Sequence, residues 1–181
     1  MARTVKKKRK SILSLLEGGD RRSIGDAGKV AAMVAQEPRR FSELIGGLWS
    51  EDELVRMRAA DAVEKVTRDR PELLRRYNPE LLGLMAECEQ QEVRWHLAQM
   101  ASRIASNTKE RLAAAGILLG YLETQSSIVR TFALQGLAEL AKDEKALRPK
   151  VVDLLHHAAR VGSAAMMARA RKLLKEIDRE G

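Results

Sequence analysis

The stretch Val55-Arg56-Met57-Arg58-Ala59-Ala60-Asp61-Ala62-Val63-Glu64-Lys65-Val66 returns three times, as Val93 to Ile104, Val129 to Leu140 and Met166 to Ile177. The copies begin 38, 36 and 37 residues apart. A nearly constant period of this length marks a chain of supersecondary units that each bury an apolar face against the next. The expected fold is all-α: a right-handed α-α superhelix of about five helical hairpins.

Each copy reads as a helix. At about 100° per residue, Val55, Ala59, Ala62, Val63 and Val66 share one face, and Met57, Asp61, Glu64 and Arg68 lie opposite. The position of residue 59 reads Ala59, Leu97, Ala133 and Ala170, and that of residue 63 reads Val63, Ala101, Leu137 and Leu174. In stacked hairpins the second helices leave one stripe open, and stacking joins the stripes into a groove. That stripe is expected to pass Met57, Asp61, Glu64 and Arg68, then Trp95 and Gln99, Thr131 and Gln135, and Ala168 and Lys172. The candidate partner-binding residues are Met57, Asp61, Arg68, Trp95, Gln99, Thr131, Gln135 and Lys172. Trp95 has two readings, an exposed aromatic anchor for a partner or a filler folded sideways onto a neighbouring helix.

Single helices are legible along the chain. The patterns predict a short helix over 10–17, one over 21–35 with Ile24, Ala27, Val30 and Val34 as its buried side, and one from Pro38 to about Trp49 carrying Phe41, Leu44, Ile45 and Leu48. Further helices are expected over 51–69, 79–89, 91–105, 107–122, 126–142, 147–160 and 163–178, with a short turn near Leu73, about eleven in all. Ser50 with Glu53 and Asn107 with Glu110 have capping-box spacing. Asn78-Pro79 reads as an N-cap followed by proline in the first turn. The segment before residue 36 is expected to be a degenerate repeat capping the array.

The formal charge of +8 is unevenly placed. Of the 33 Lys and Arg residues, six lie in residues 1–10 with no acid, which leaves 27 bases against 25 acids in the remainder. A basic, disordered tail over 1–10 and a single repeat domain over 11–181 are therefore expected. Lys6, Lys7, Lys8, Arg9 and Lys10 make the tail a weak candidate for nucleic acid. The segment Ile12 to Leu16 is too short for a signal peptide and no apolar window reaches membrane-spanning length. The one cysteine, Cys88, cannot form an intramolecular disulfide, so a cytoplasmic location and an inert core thiol are expected.

The units resemble HEAT repeats, particularly the short bacterial kind, whose second helix typically carries valine-arginine, then alanine, then spaced small and aliphatic residues. Val55-Arg56…Ala59…Ala62-Val63…Val66 and Val129-Arg130…Ala133…Leu137…Leu140 match this pattern, and the resemblance covers nearly all the chain after residue 20. The family arginine stands as Arg56, Arg94 and Arg130, and Met167 replaces it in the last unit. An acidic residue three before the valine is present only as Asp52, with Gln90, Ser126 and Ser163 elsewhere. These arginines are read as structural.

Catalytic signals are scarce. Gly18-Gly19 and Ile45-Gly46-Gly47 lack the strand and lysine of a phosphate loop. One cysteine and three histidines make no metal pattern, and the adjacent His156 and His157 diverge by about 100° on a helix. No cofactor and no catalytic residue is expected. The chain resembles the HEAT-like alkylpurine DNA glycosylases in fold type only. Their lesion site uses tryptophans and an aspartate, and Trp95 and Asp61 fall on the outward columns of consecutive second helices, which makes a glycosylase-like activity the remote alternative. The favoured expectation is a non-catalytic scaffold that binds a protein or peptide along its concave face. Nucleic acid held through the tail is the alternative, and no membrane is expected.

Overall fold

The structure is a computed structural model that describes residues 11–20 and 22–179. The basic segment 1–10 lies outside the described residues. Among those described there are nine α-helices, five short 3₁₀ turns and no strand. The helices are α1 (Ala27–Gln36), α2 (Phe41–Gly46), α3 (Glu53–Asp69), α4 (Asn78–Glu87), α5 (Gln91–Ile104), α6 (Thr108–Leu122), α7 (Ser127–Asp143), α8 (Arg148–Val161) and α9 (Ala164–Arg179). From α3 onward they follow the expected segments closely, because the apolar period is near 3.6 throughout. The chain divides into two compact units, Met1–Val63 and Glu64–Gly181. The division falls inside α3.

In the first unit, the expected helix over 10–17 is only a 3₁₀ turn over Leu13–Leu15. The helix expected from residue 21 begins at Ala27, after turns around Gly18, Gly19 and Gly25. Ile24, expected inside, is exposed, whereas Ala27, Val30 and Val34 are buried. They join Ile12, Leu16, Phe41, Leu44, Ile45 and Leu48 in the core. Glu43 ties the chain entry down: its carboxylate accepts from Ser11 Oγ at 2.7 Å and from the Ile12 amide at 2.8 Å. Asp52, and not Ser50, caps α3, accepting from the Leu54 amide at 2.8 Å.

Arg58 organises the loop that precedes α1. It is 2% exposed, and its guanidinium donates to the carbonyls of Leu16 (2.7 Å), Gly18 (2.5 Å), Asp20 (3.1 Å) and Ser23 (3.2 Å). Gly25 has φ +50°, and a Cβ there would sit 3.1 Å from Arg58 Cζ. The loop is thus wrapped around one cation, using backbone turns that only glycine adopts easily.

In the second unit consecutive helices contact one another, α4 with α5, α6 with α7 and α8 with α9. Further contacts join α5 to α7, α7 to α9 and α4 to α6. Leu81, Met85, Leu97, Leu118, Leu137 and Leu155 lie in the core between these layers. The approach of α5 to α7 is close because Gly136 has no side chain: a Cβ there would meet the Ala98 carbonyl oxygen at 2.5 Å. Tyr121 is buried and donates to the Met85 carbonyl at 2.6 Å; burial raises its phenol above the ordinary value.

Two expected helix starts differ. Asn107 does cap α6, accepting from the Glu110 amide at 3.0 Å, but Glu110 reaches back to the Ser106 amide, at 2.7 Å. Asn78 is no cap. A 3₁₀ run over Pro71–Tyr77 leads straight into α4, so Asn78 is already helical and buried. Its amide nitrogen donates to Ser106 Oγ at 3.2 Å and more weakly to Glu110 at 3.4 Å. Cys88 is half-buried at the end of α4. Among the described residues no helix is long and apolar enough to cross a membrane.

Candidate functional site

A groove of about 550 Å³ runs along the second unit. The last turns of α3 supply Glu64 and Arg68, α5 supplies Gln99, Ser102 and Arg103, α7 supplies Phe132, Gln135 and Glu139, and α9 supplies Arg169. Residues four apart on a helix project to one side. Gln99 and Arg103 on α5, and Gln135 and Glu139 on α7, therefore face the same space.

The groove is charged but internally matched. Glu64, 3% exposed, takes both Arg68 and Arg103: Arg68 Nε donates at 2.9 Å and Nη2 at 2.5 Å, and Arg103 Nη2 at 2.8 Å. Arg103 also donates to the Glu64 carbonyl (3.1 Å), Thr67 Oγ1 (3.0 Å) and the Gln99 carbonyl (2.9 Å). Burial pushes the Glu64 carboxyl up, but the hydrogen bonds and charges of Arg68 and Arg103 outweigh it and hold the group below the usual carboxylate value. Glu139 accepts from Gln135 Nε2 at 2.7 Å and from Ser102 Oγ at 3.0 Å. Arg169 donates to Gln135 Oε1 and lies over the Phe132 ring, 5.5 Å from its centroid. Three guanidinium groups thus stand against two carboxylates, each arginine already holding a protein acceptor.

Of the expected site residues, Arg68, Gln99 and Gln135 line this groove. Met57, Asp61 and Thr131 do not belong to an open stripe: they are 7%, 8% and 7% exposed. The cause in α3 is that burial extends past the apolar face to Arg58, Ala60, Glu64 and Thr67, which leaves only Glu53 exposed and Leu54, Arg56 and Lys65 half-buried before Arg68. Thr131 turns inward because its hydroxyl is satisfied by the Ser127 carbonyl at 2.7 Å. Lys172 is exposed, near Glu176 at 3.8 Å, and is not in the groove lining.

Trp95 is half-buried. Its ring meets Phe132 edge-on, centroids 6.2 Å apart at 79°, and His96 at 5.2 Å and 87°. The indole Nε1 is buried with no hydrogen-bond partner among the described residues. This arrangement fits the filler reading, with the tryptophan bridging α5 and α7 beside the groove. Asp61 and Trp95, the pair behind the remote glycosylase-like alternative, belong to different units.

Sequence reasoning missed Ser102, Arg103, Phe132, Glu139 and Arg169. The signal for two of them was present: continuing the four-residue ladder from Trp95 and Gln99 reaches Arg103, and from Thr131 and Gln135 reaches Glu139. On α9 the groove takes Arg169, one position beyond Ala168, in place of the expected Ala168 and Lys172.

The repeat arginines have a local role. Arg56 Nη1 donates to the Ser50 carbonyl at 2.7 Å and to that of Glu51 at 3.1 Å. Arg94 Nε donates to the Cys88 carbonyl at 2.5 Å, again six residues upstream, and its guanidinium lies 5.3 Å from the Tyr121 ring centroid. Arg130 departs from this: its Nε is buried with no hydrogen-bond partner among the described residues. Among those residues no three His, Cys, Asp or Glu side chains are grouped to hold a metal ion. Compared with protein-family models, with curated proteins and with solved structures, the chain matches none.

Proposed function

We propose that the chain is a HEAT-like solenoid scaffold that binds a protein or peptide along the groove of its second unit, with no catalytic step of its own. One observation carries this reading: Gln99 and Gln135, at equivalent places in successive repeats, line one groove together with ion pairs already matched within the protein. Paired charges of both signs among polar and aromatic groups suit a protein surface. A phosphate backbone calls for uncommitted cations, and Arg68, Arg103 and Arg169 are each engaged. The pairing of helices within and between hairpins, and the recurrence of Val-Arg at the repeat period, support the solenoid reading.

The test is site-specific photo-crosslinking of the full chain in its host cell, with p-benzoylphenylalanine at Gln99 or Gln135, and at exposed Glu80 on α4 as control. The expected result is one discrete protein adduct from the groove positions and none from the control. Equal adducts at all three positions overturn the groove. Retarded migration of DNA that vanishes steeply with salt, with no protein adduct, would favour nucleic acid instead.

A further inference from the structure

Beyond the groove, and independent of it, the second unit has a smaller cleft of about 280 Å³ between α6, α7, α8 and the start of α9. Leu122, Leu134, Leu154, Ala158, Val161 and Met166 form its apolar walls. Arg130 enters it from α7, with Glu123 and His157 also in the lining. Three observations single it out. Val161 is 67% exposed, the most exposed large apolar side chain among the described residues. Arg130 is half-buried, and its Nε is covered by protein without a hydrogen-bond partner, so any bond to a ligand falls to its two Nη nitrogens. And Arg56 and Arg94, its counterparts in the repeat, each use the guanidinium on a carbonyl six residues upstream. Arg130 is thus the repeat arginine released from the structural task of its counterparts, and it sits at an apolar cleft.

We propose that this cleft holds the C-terminal residue of a peptide chain, its apolar side chain against Leu134, Leu154 and Met166 and its terminal carboxylate on Arg130. A guanidinium presents a planar fork that matches a carboxylate with two parallel hydrogen bonds. The lining argues for a chain end: its apolar walls receive one apolar side chain, and the rest of the ligand runs out past the exposed Glu123 and His157. Glu123 is the opposing charge in the lining. It is exposed to solvent, where its repulsion is screened, and it makes no ion pair with Arg130.

The experiment is a titration of the ¹⁵N-labelled full chain with acetyl-Ala-Ala-Leu carrying a free carboxylate, with the same tripeptide as its carboxamide, and with decanoate. The free acid is expected to shift resonances of Arg130, Leu134, Ala158 and Val161, and the carboxamide to bind at least about tenfold more weakly, as loss of a charged hydrogen bond requires. Arg130→Met should lower the affinity for the free acid by at least about tenfold and leave the melting temperature unchanged, whereas Arg94→Met should lower it. The proposal is overturned by equal binding of acid and carboxamide, by shifts confined to other residues, by binding of decanoate alone, or by no shift at millimolar tripeptide. It is also overturned if Arg130→Met melts as early as Arg94→Met, because Arg130 would then be structural.

Discussion

The two units each depend on a guanidinium placed among protein acceptors, and they satisfy it by different means. In the first unit Arg58 is surrounded by the carbonyls of Leu16, Gly18, Asp20 and Ser23. In the second, Arg103 and Arg68 share the carboxylate of Glu64. The first arrangement is made of dipoles that never titrate. It asks the chain to bend four carbonyls toward one point, which is why positive-φ glycines cluster at residues 18, 19 and 25. The second needs no special backbone, since helical side chains at fixed spacing meet each other, but its strength depends on a proton. Placing Arg58 and Glu64 six residues apart on one helix gives the chain one pH-insensitive and one pH-sensitive support.

The largest effect that would break this contrast comes from Arg58→Met. The buried Leu16 carbonyl and three part-buried ones would lose their donor, and a loss of about 3 kcal/mol is expected in urea unfolding. The loss should be the same at pH 7 and pH 4. A deficit that shrinks on acidification would mean that a carboxylate, and not the carbonyls, holds the arginine.

Glu64→Gln should cost about 2 kcal/mol at pH 7, since it leaves Arg103 beside a neutral group. Here the pH dependence has a definite sign. The folded-state carboxyl of Glu64 lies below its unfolded value. Its contribution is therefore complete above the usual carboxylate range and is lost as pH falls through the depressed folded value. The gap between wild type and Glu64→Gln should close over that window in paired melts at pH 7, 5 and 3. A gap that stays constant would remove the distinction between the two arrangements.

Gly25→Ala sharpens the first half of the comparison. A side chain at φ +50° is strained, and this one would press on Arg58. A destabilisation of about 1 kcal/mol is expected, and coupling with Arg58→Met in a double-mutant cycle would locate the strain at the clamp. Independent, additive effects would place it elsewhere in the loop. The smallest effect belongs to Arg68→Gln. Its side chain is 60% exposed, so about 0.5 kcal/mol is expected, declining as salt is added. A loss as large as that of Glu64→Gln would show Arg68 to be a full partner and not the outer arm.

Much of this was legible in the sequence, and the exceptions share a cause. The apolar columns of Val55, Ala59, Ala62, Val63 and Val66 are buried as expected, as are Leu97, Ala133 and Ala170, because a period of 3.6 fixes which residues share a face. Periodicity does not say how much of the circumference is covered. Met57, Asp61 and Glu64 point away from the apolar face and are buried nonetheless, and Leu174, on the apolar column, is only half-buried. The sequence carried no signal for the role of Arg58. It was assigned to neither face, and its partners lie 35 to 42 residues away on backbone atoms that carry no side-chain signature. The groove was half visible for a related reason: ladder positions 99 and 135 follow from helix geometry, whereas the seating of Arg169 over Phe132 depends on how α7 and α9 meet.

The bonds from Arg56 to Ser50 and from Arg94 to Cys88 span the same six residues. Each one works as a gauge of length. It closes only when the linker before the second helix has a set number of residues, so it penalises insertions and deletions that the surrounding loop, being exposed, would otherwise accept. Among the described residues no such bond spans the linker before α7, so a one-residue insertion there is expected to cost less stability than one before α3 or α5.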